Sequence, residues 1–216
     1  MSMDEKDVVW LGDSLDVLRA FPKAVRADLG GDLRRLQIGE MPLDSKPMRT
    51  VGAGVRELRA HDRNNQFRTM YVARKGTYIV VLHCFIKKSR TTSKSDINTA
   101  KERLKVFDSK VRMQRKGVAV MQRRITKGNV FKDLGFTDEE AVALAMRVDL
   151  AVEIEKFIKR KKLTQMKAAA YFDVPQPKIS KIIRGKVSGF SIGYLVKMAA
   201  KAGKTPRISF ARKQAA

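Results

Sequence analysis

The 216-residue chain has one cysteine, Cys84, set in an apolar run, which excludes an intrachain disulfide and a cysteine-based metal site. Its two histidines, His61 and His83, lie far in sequence from other ligand-type residues, so no metal or cofactor is expected. Long hydrophobic runs are missing too. The longest, such as Tyr78-Ile79-Val80-Val81-Leu82, are strand-sized, whereas a membrane span needs roughly 18 residues. Met1 to Trp10 is acidic rather than basic-then-apolar, so neither export nor membrane insertion is expected, and a reducing cytoplasm fits best. The scarcest feature is negative charge: 22 Asp and Glu stand against 46 Lys and Arg, for a net +24 and a pI near 10.5. Such an excess draws a protein toward polyanions, and no basic helix here has the bulky aromatic face of a membrane-surface binder. Nucleic acid is the expected partner.

What is present is the balance of a folded protein, 44% hydrophobic and 31% charged, with length for one large domain or two small ones. Split after Arg112, the first part has 23 basic and 14 acidic residues and the remainder 23 and 8, so both halves can meet phosphate. The first half reads as mixed α and β. Val8 to Leu11 suggests a short strand, Asp13 or Ser14 can cap a helix carrying Leu15, Leu18 and Phe21, and Leu29, Leu33 and Leu36 continue at helical spacing. Residues 55–60, 66–74 and 77–87 are rich in β-branched and aromatic types, with Lys75-Gly76 as a tight turn, and predict an antiparallel meander. Ser93-x-x-Asp96 has the form of a capping box before a helix with Ile97, Ala100, Leu104 and Phe107 on one face. The expected organisation is an α+β domain over 1–108, a basic aperiodic linker over 109–120, and an all-α domain over 121–216 in which the capping box Thr137-x-x-Glu140 opens a helix.

Within the second domain, Thr164 can cap a helix whose Ala168 and Ala169 allow a close crossing, and Asp173 permits a turn. Pro177 suits the first turn of the next helix. There Ile179, Ile182 and Ile183 face inward, leaving Gln176, Lys178, Ser180, Lys181 and Arg184 outward before Gly185 stops the helix. This is a helix-turn-helix with a polar, basic recognition face. With L-T-Q, A-A, V-x-Q-P-x-I-S and R-G-K in order, the stretch closely resembles the Xre/Cro-repressor superfamily, and with Phe131 and Leu134-Gly135-Phe136 it resembles the HigA-type antitoxins, over about residues 121–208. The resemblance implies that the second helix reads the major groove: Gln176, Lys178, Ser180 and Lys181 are expected at base edges, and Thr164, Gln165, Arg184 and Lys186 on the backbone. The alternative is two helices packed for structure alone.

In the first domain Gly52, Gly54, Val55, Glu57, Leu58 and Arg59 are followed by Phe67-Arg68, by Leu82, His83, Phe85, Lys87 and Lys88, and by Asp96, Ile97, Ala100 and Arg103. The run resembles the phage-derived, HigB-like branch of the RelE toxin superfamily. That resemblance implies a compact sheet with helices on one side and an enzyme that cuts messenger RNA on the ribosome. Metal-free RNA cleavage needs a base for the 2′-hydroxyl, cations around the crowded phosphate and a proton for the leaving oxygen. Arg68 and Lys87 or Lys88 are expected to hold the scissile phosphate with Arg59 nearby, and Glu57 to be either the base or an ion-pair partner orienting an Arg. The wider superfamily often has a Lys in place of Glu57 and a Tyr near the C-terminus, and this sequence departs from that pattern. The structural alternatives are a Glu57–Arg59 ion pair, a hydrogen-bonded core role for His83, and core roles for Phe85 and Cys84.

Toxin followed by antitoxin in one chain implies inhibition in cis, or by swapping between chains, at high effective concentration. It also implies a homodimer on palindromic operator DNA. A different class of reading keeps the second half as a DNA-binding regulator and makes the first a catalytically dead dimerisation or corepressor module.

Overall fold

The computed structural model describes residues 5–73, 78–89, 91–114 and 124–207, without the side chains of 110–114. The expected Lys75-Gly76 turn and linker residues 115–120 lie outside the described residues. The chain divides into two compact units, Met1–Ala145 and Met146–Ala216.

In the first unit the buried trio Val8, Val9 and Trp10 forms β1 (Asp7–Trp10), followed by α1 (Ser14–Arg19) and α2 (Lys23–Gln37). A short β2 (Ser45–Pro47) precedes the meander β3 (Val55–His61), β4 (Gln66–Ala73) and β5 (Tyr78–Lys87). The meander is antiparallel, as its hairpin-like spacing predicts, but β1 lies parallel to β5. The expected antiparallel sheet is therefore mixed, in the order β2-β3-β4-β5-β1 with a late strand β6 (Arg124–Thr126) beyond β1. The chain leaves β1 through two helices rather than a hairpin, which permits the parallel pairing.

One sheet face carries Val55, Met70, Val72, Val80, Leu82 and Phe85 under Ala100, Leu104 and Phe107 of α3 (Lys94–Gln114). Ser93 caps that helix, accepting from Asp96 N at 3.0 Å. Arg103 pins α3 to the sheet by donating to Leu82 O at 3.0 Å beside the register shift in β4–β5, and to Asp13 at 2.7 Å. The alternating residues Leu58, Phe67 and Tyr71 face the other way and are also buried, with Phe67 against Phe21 at 4.8 Å between ring centroids. Helices thus cover both faces, a correction to the one-sided sheet that the family resemblance implied. The physical reason is visible in β4, buried from Phe67 to Val72 without alternation, the mark of a strand enclosed on both sides.

Helix α3 runs to Gln114, so the first six residues of the expected linker are helical. Past residues 115–123 the chain does not begin a purely helical domain. It adds β6 (Arg124–Thr126) antiparallel to β1 and then α4 (Val130–Asp133) against α2, and the first compact unit includes them. Phe131 and Leu134 are fully buried beside Gly30, where a Cβ would sit 2.6 Å from the Phe131 ring. The long α5 (Asp138–Arg160) follows.

In the second unit Thr164 caps α6 (Gln165–Phe172), accepting from Lys167 N at 3.2 Å. Asp173 ends it in the left-handed region at φ 57°, and Pro177 stands in the first turn of α7 (Gln176–Ile183). Ser191 caps α8 (Ile192–Lys201). Ile179 and Ile182 are fully buried with Ala168 and Leu195, and Ile183 is half-buried. Among the described residues no helix is long and apolar enough to cross a membrane.

Candidate functional site

The registers of β3, β4 and β5 set three cross-strand rows on one sheet face: Glu57, Met70 and His83; Arg59, Arg68 and Phe85; His61, Gln66 and Lys87. Glu57, Arg59, Arg68 and Lys87 are thereby gathered on one face of the meander, whereas Lys88 lies past the end of β5 and is exposed. A cleft of about 430 Å³ opens beside them, lined by Asp44, Arg59, His61, Gln66 and Arg68 and by the turn 62–65. In that turn Asp62 Oδ1 accepts from Asn64 N and Asn65 N at 2.8 and 2.6 Å, the local bonding that suits Asp to a tight corner.

The ion pair joins Glu57 to Arg68, at 3.2 Å, rather than to Arg59 two residues along its own strand. Both partners are more than nine-tenths buried. Arg68 also donates to Phe67 O at 2.9 Å and to Gln66 Oε1 at 2.6 Å. Burial pushes the Glu57 carboxyl up, against the pull of Arg68, Lys87, Arg59 and Lys46, and its Oε2 has no hydrogen-bond partner among the described residues. Arg68 is pushed down by the same burial and held up by Glu57. A carboxyl raised by burial beside cations can carry a proton between substrate oxygens. Arg59 is partly exposed and pairs with Asp44 through Nε at 2.7 Å. His83 Nε2 lies 2.9 Å from Asp96 Oδ1 and its ring stacks on Phe85, so it is held as a hydrogen-bonded, half-buried side chain; Cys84 is buried on the opposite face. Sequence reasoning missed Asp44 and Gln66, which touch the two arginines; the one available signal was the strict alternation that puts Gln66 on the face of Arg68.

In the second unit Gln176, Lys178, Lys181, Arg184 and Lys186 are exposed, Ser180 is half-buried, and Thr164 and Gln165 open the neighbouring helix. Gln176 Nε2 donates to Gln165 Oε1 at 2.5 Å, tying the starts of α6 and α7 together. Lys178 Nζ sits 4.5 Å from the centre of the Tyr194 ring, and with Lys181 and Lys186 it rims a cleft of about 450 Å³. Among the described residues no cluster of His, Cys, Asp and Glu is arranged to hold a metal.

Comparison with known proteins matches residues 16–105 to the family described as phage derived protein Gp49-like, and residues 130–210 to a helix-turn-helix domain family. One polypeptide thus carries a stretch similar to the Gp49-like family followed by a stretch similar to a helix-turn-helix domain family. Over 87 residues it is 36% identical to proteins described as "Probable endoribonuclease HigB1" from Mycobacterium tuberculosis strains CDC 1551 / Oshkosh and ATCC 25618 / H37Rv. The match covers 40% of this chain and 66% of those relatives, so the chain spans just under two thirds of their length.

Proposed function

We propose that the first unit is a metal-independent endoribonuclease acting on messenger RNA at the ribosome, and that the second binds operator DNA as part of a homodimer while restraining the first only in part, so that the full chain keeps measurable cleavage. The observation that carries the reading is the gathering of Glu57, Arg59, Arg68 and Lys87 on one sheet face beside an open cleft, within a Gp49-like match. Arg59 and Lys87 flank the cleft as phosphate ligands. Arg68, fixed by Glu57, Gln66 and Phe67 O, supplies a preorganised charge where the crowded phosphate gains negative charge. Glu57 takes the 2′-hydroxyl proton as that oxygen bonds to phosphorus, and returns it to the 5′-oxygen as the P–O5′ bond breaks, leaving a 2′,3′-cyclic phosphate and a free 5′-hydroxyl.

On the DNA side, Gln176, Lys178, Ser180 and Lys181 meet base edges, and Thr164, Gln165, Arg184 and Lys186 meet phosphate, with half-sites about one helical turn or a multiple apart. The test incubates the full chain, Arg59→Ala and Lys87→Ala with translating ribosomes and maps messenger ends. Cleavage by the parent and loss in both variants supports the reading, and an inert parent with intact operator binding defeats the nuclease half. One observation favours the second reading, a DNA-binding regulator with an inert first unit: Arg68 already has its charge met inside the protein.

A further inference from the structure

Residues 124–141 belong by sequence to the helix-turn-helix side, yet they are built into the first unit. Strand β6 covers the edge of β1 in the register Val8–Thr126, Val9–Ile125 and Trp10–Arg124. The indole of Trp10 donates to Thr126 Oγ1 at 2.8 Å, and Asp133 accepts from the same hydroxyl. Gln37 donates to Gly128 O at 2.6 Å, and Arg26 to Leu134 O at 2.5 Å. Phe131 and Leu134 fill the space over Gly30 in the middle of α2, where a side chain would collide with them. Glycine inside a helix costs about 1 kcal/mol against alanine, so its place at this contact has a packing reason. The seat is far from the candidate active site: β6 and β3 are separated by four strand spacings, roughly 19 Å, and none of these residues lines the cleft.

We propose that the β1 edge and the Gly30 groove of α2 form an antitoxin-docking surface whose occupant is segment 124–141 of this chain. The segment is a detachable anchor: it completes the sheet by strand addition, plugs the groove with Phe131, and leaves the cleft unfilled. It holds the helix-turn-helix part on the toxin-like unit through its own contacts, independent of the covalent connection. This rests on the reading of the two parts as toxin-like and antitoxin-like.

The test uses the full chain with a protease site introduced between residues 115 and 123. After cutting, the two fragments are run together by size exclusion at about 1 μM and their affinity is measured by competition. The expected result is co-elution, with Phe131→Ala weakening the association tenfold or more and Lys23→Ala, which removes an exposed ion pair to Glu140 and a distant contact of its ammonium with the Phe136 ring, leaving it within about twofold. Gly30→Ala is the decisive variant, because alanine favours α2 itself while its methyl meets the Phe131 ring; it too should weaken association tenfold or more. Separation of the parent fragments on cutting, or unchanged affinity in Gly30→Ala, overturns the proposal. The readout needs no RNA or DNA, so co-elution of a chain inert on ribosomes would defeat the nuclease reading alone, and separation of an active one would defeat the anchor alone.

Discussion

The two cation-rich surfaces of this protein are constructed in opposite ways. Among the described residues the first unit buries Asp32, Arg34, Arg35, Glu57 and Arg68, while the second buries the single charge of Glu155. Arg68 is locked by three partners, whereas Lys181 and Arg184 stand on the surface of α7. The difference matches the tasks proposed for them. A transition state exists for an instant, and a charge aimed at it must be in place beforehand. A duplex is a long-lived partner with its own counterions, and exposed side chains can find its phosphates and base edges after arrival.

The contrast is tested hardest at Arg68. Arg68→Ala removes the preorganised cation and leaves Glu57 buried without its partner. RNA cleavage by the full chain should fall about 10²-fold or more. Stability of the first unit should fall by about 3–5 kcal/mol, followed by the fluorescence of Trp10, the chain's one tryptophan. Replacing both partners with methionine should restore much of the stability and none of the cleavage. A double variant that cleaves messenger normally would make the pair scaffolding only and erase the proposed difference between the surfaces.

A second buried charge gives a pH test confined to the first unit. Burial pushes the Asp32 carboxyl up to about 6 from an ordinary 3.8, despite a hydrogen bond from Leu43 N at 2.8 Å. The folded chain therefore binds this proton more tightly than the unfolded chain. Its contribution to stability is complete below pH 3.8 and is lost as pH rises through about 6, a change of about 3 kcal/mol. Asp32→Asn should flatten that part of the profile, read by denaturant unfolding at pH 4, 5, 6 and 7 with Trp10 emission. Parallel profiles for parent and variant would show that Asp32 ionises freely.

Local signals made much of this legible in the sequence, and the rest depended on distant contacts. The caps at Ser93 and Thr164 act within three residues of themselves, and both form as their spacing predicts. The helix-turn-helix face was readable for the same reason. The partner of Glu57 was not, because Arg59 is close in sequence but Arg68 is close in space once β3 and β4 pair. Strand β6 was hidden because three residues carry no usable periodicity and its partner lies more than a hundred positions earlier. Gly30 in the middle of α2 was the one sequence trace of that docking, and it has meaning only when Phe131 is seen beside it.

The recognition surface gives smaller effects that sharpen the comparison from the other side. Gln176→Ala or Lys178→Ala should cost about 1–3 kcal/mol on operator DNA and relax preference at one position per half-site. Lys186→Ala should weaken all sequences alike and make the salt slope shallower by about 1. Binding measured on cognate and scrambled duplexes across a salt series separates the two patterns. Equal losses on both duplexes for Gln176→Ala would mean that α7 is not reading bases.

The smallest expected effect falls on Thr164, where folding and DNA contact meet in one hydroxyl. Its oxygen accepts from Lys167 N at 3.2 Å and so caps α6, while the side chain is exposed toward solvent. Thr164→Ala should lower stability of the second unit by about 1 kcal/mol through loss of the cap. Thr164→Asp should keep the cap, since a carboxylate accepts the same bond at the positive end of the helix, and stability should stay near that of the parent. On DNA the order should reverse. The aspartate places a negative charge where a phosphate is expected and should bind more weakly than the alanine variant, most clearly at low salt where charges are least screened. Unfolding curves and duplex titrations on the two variants decide it: if the aspartate variant binds DNA as well as the alanine one at low salt, Thr164 faces no phosphate and acts only as a cap.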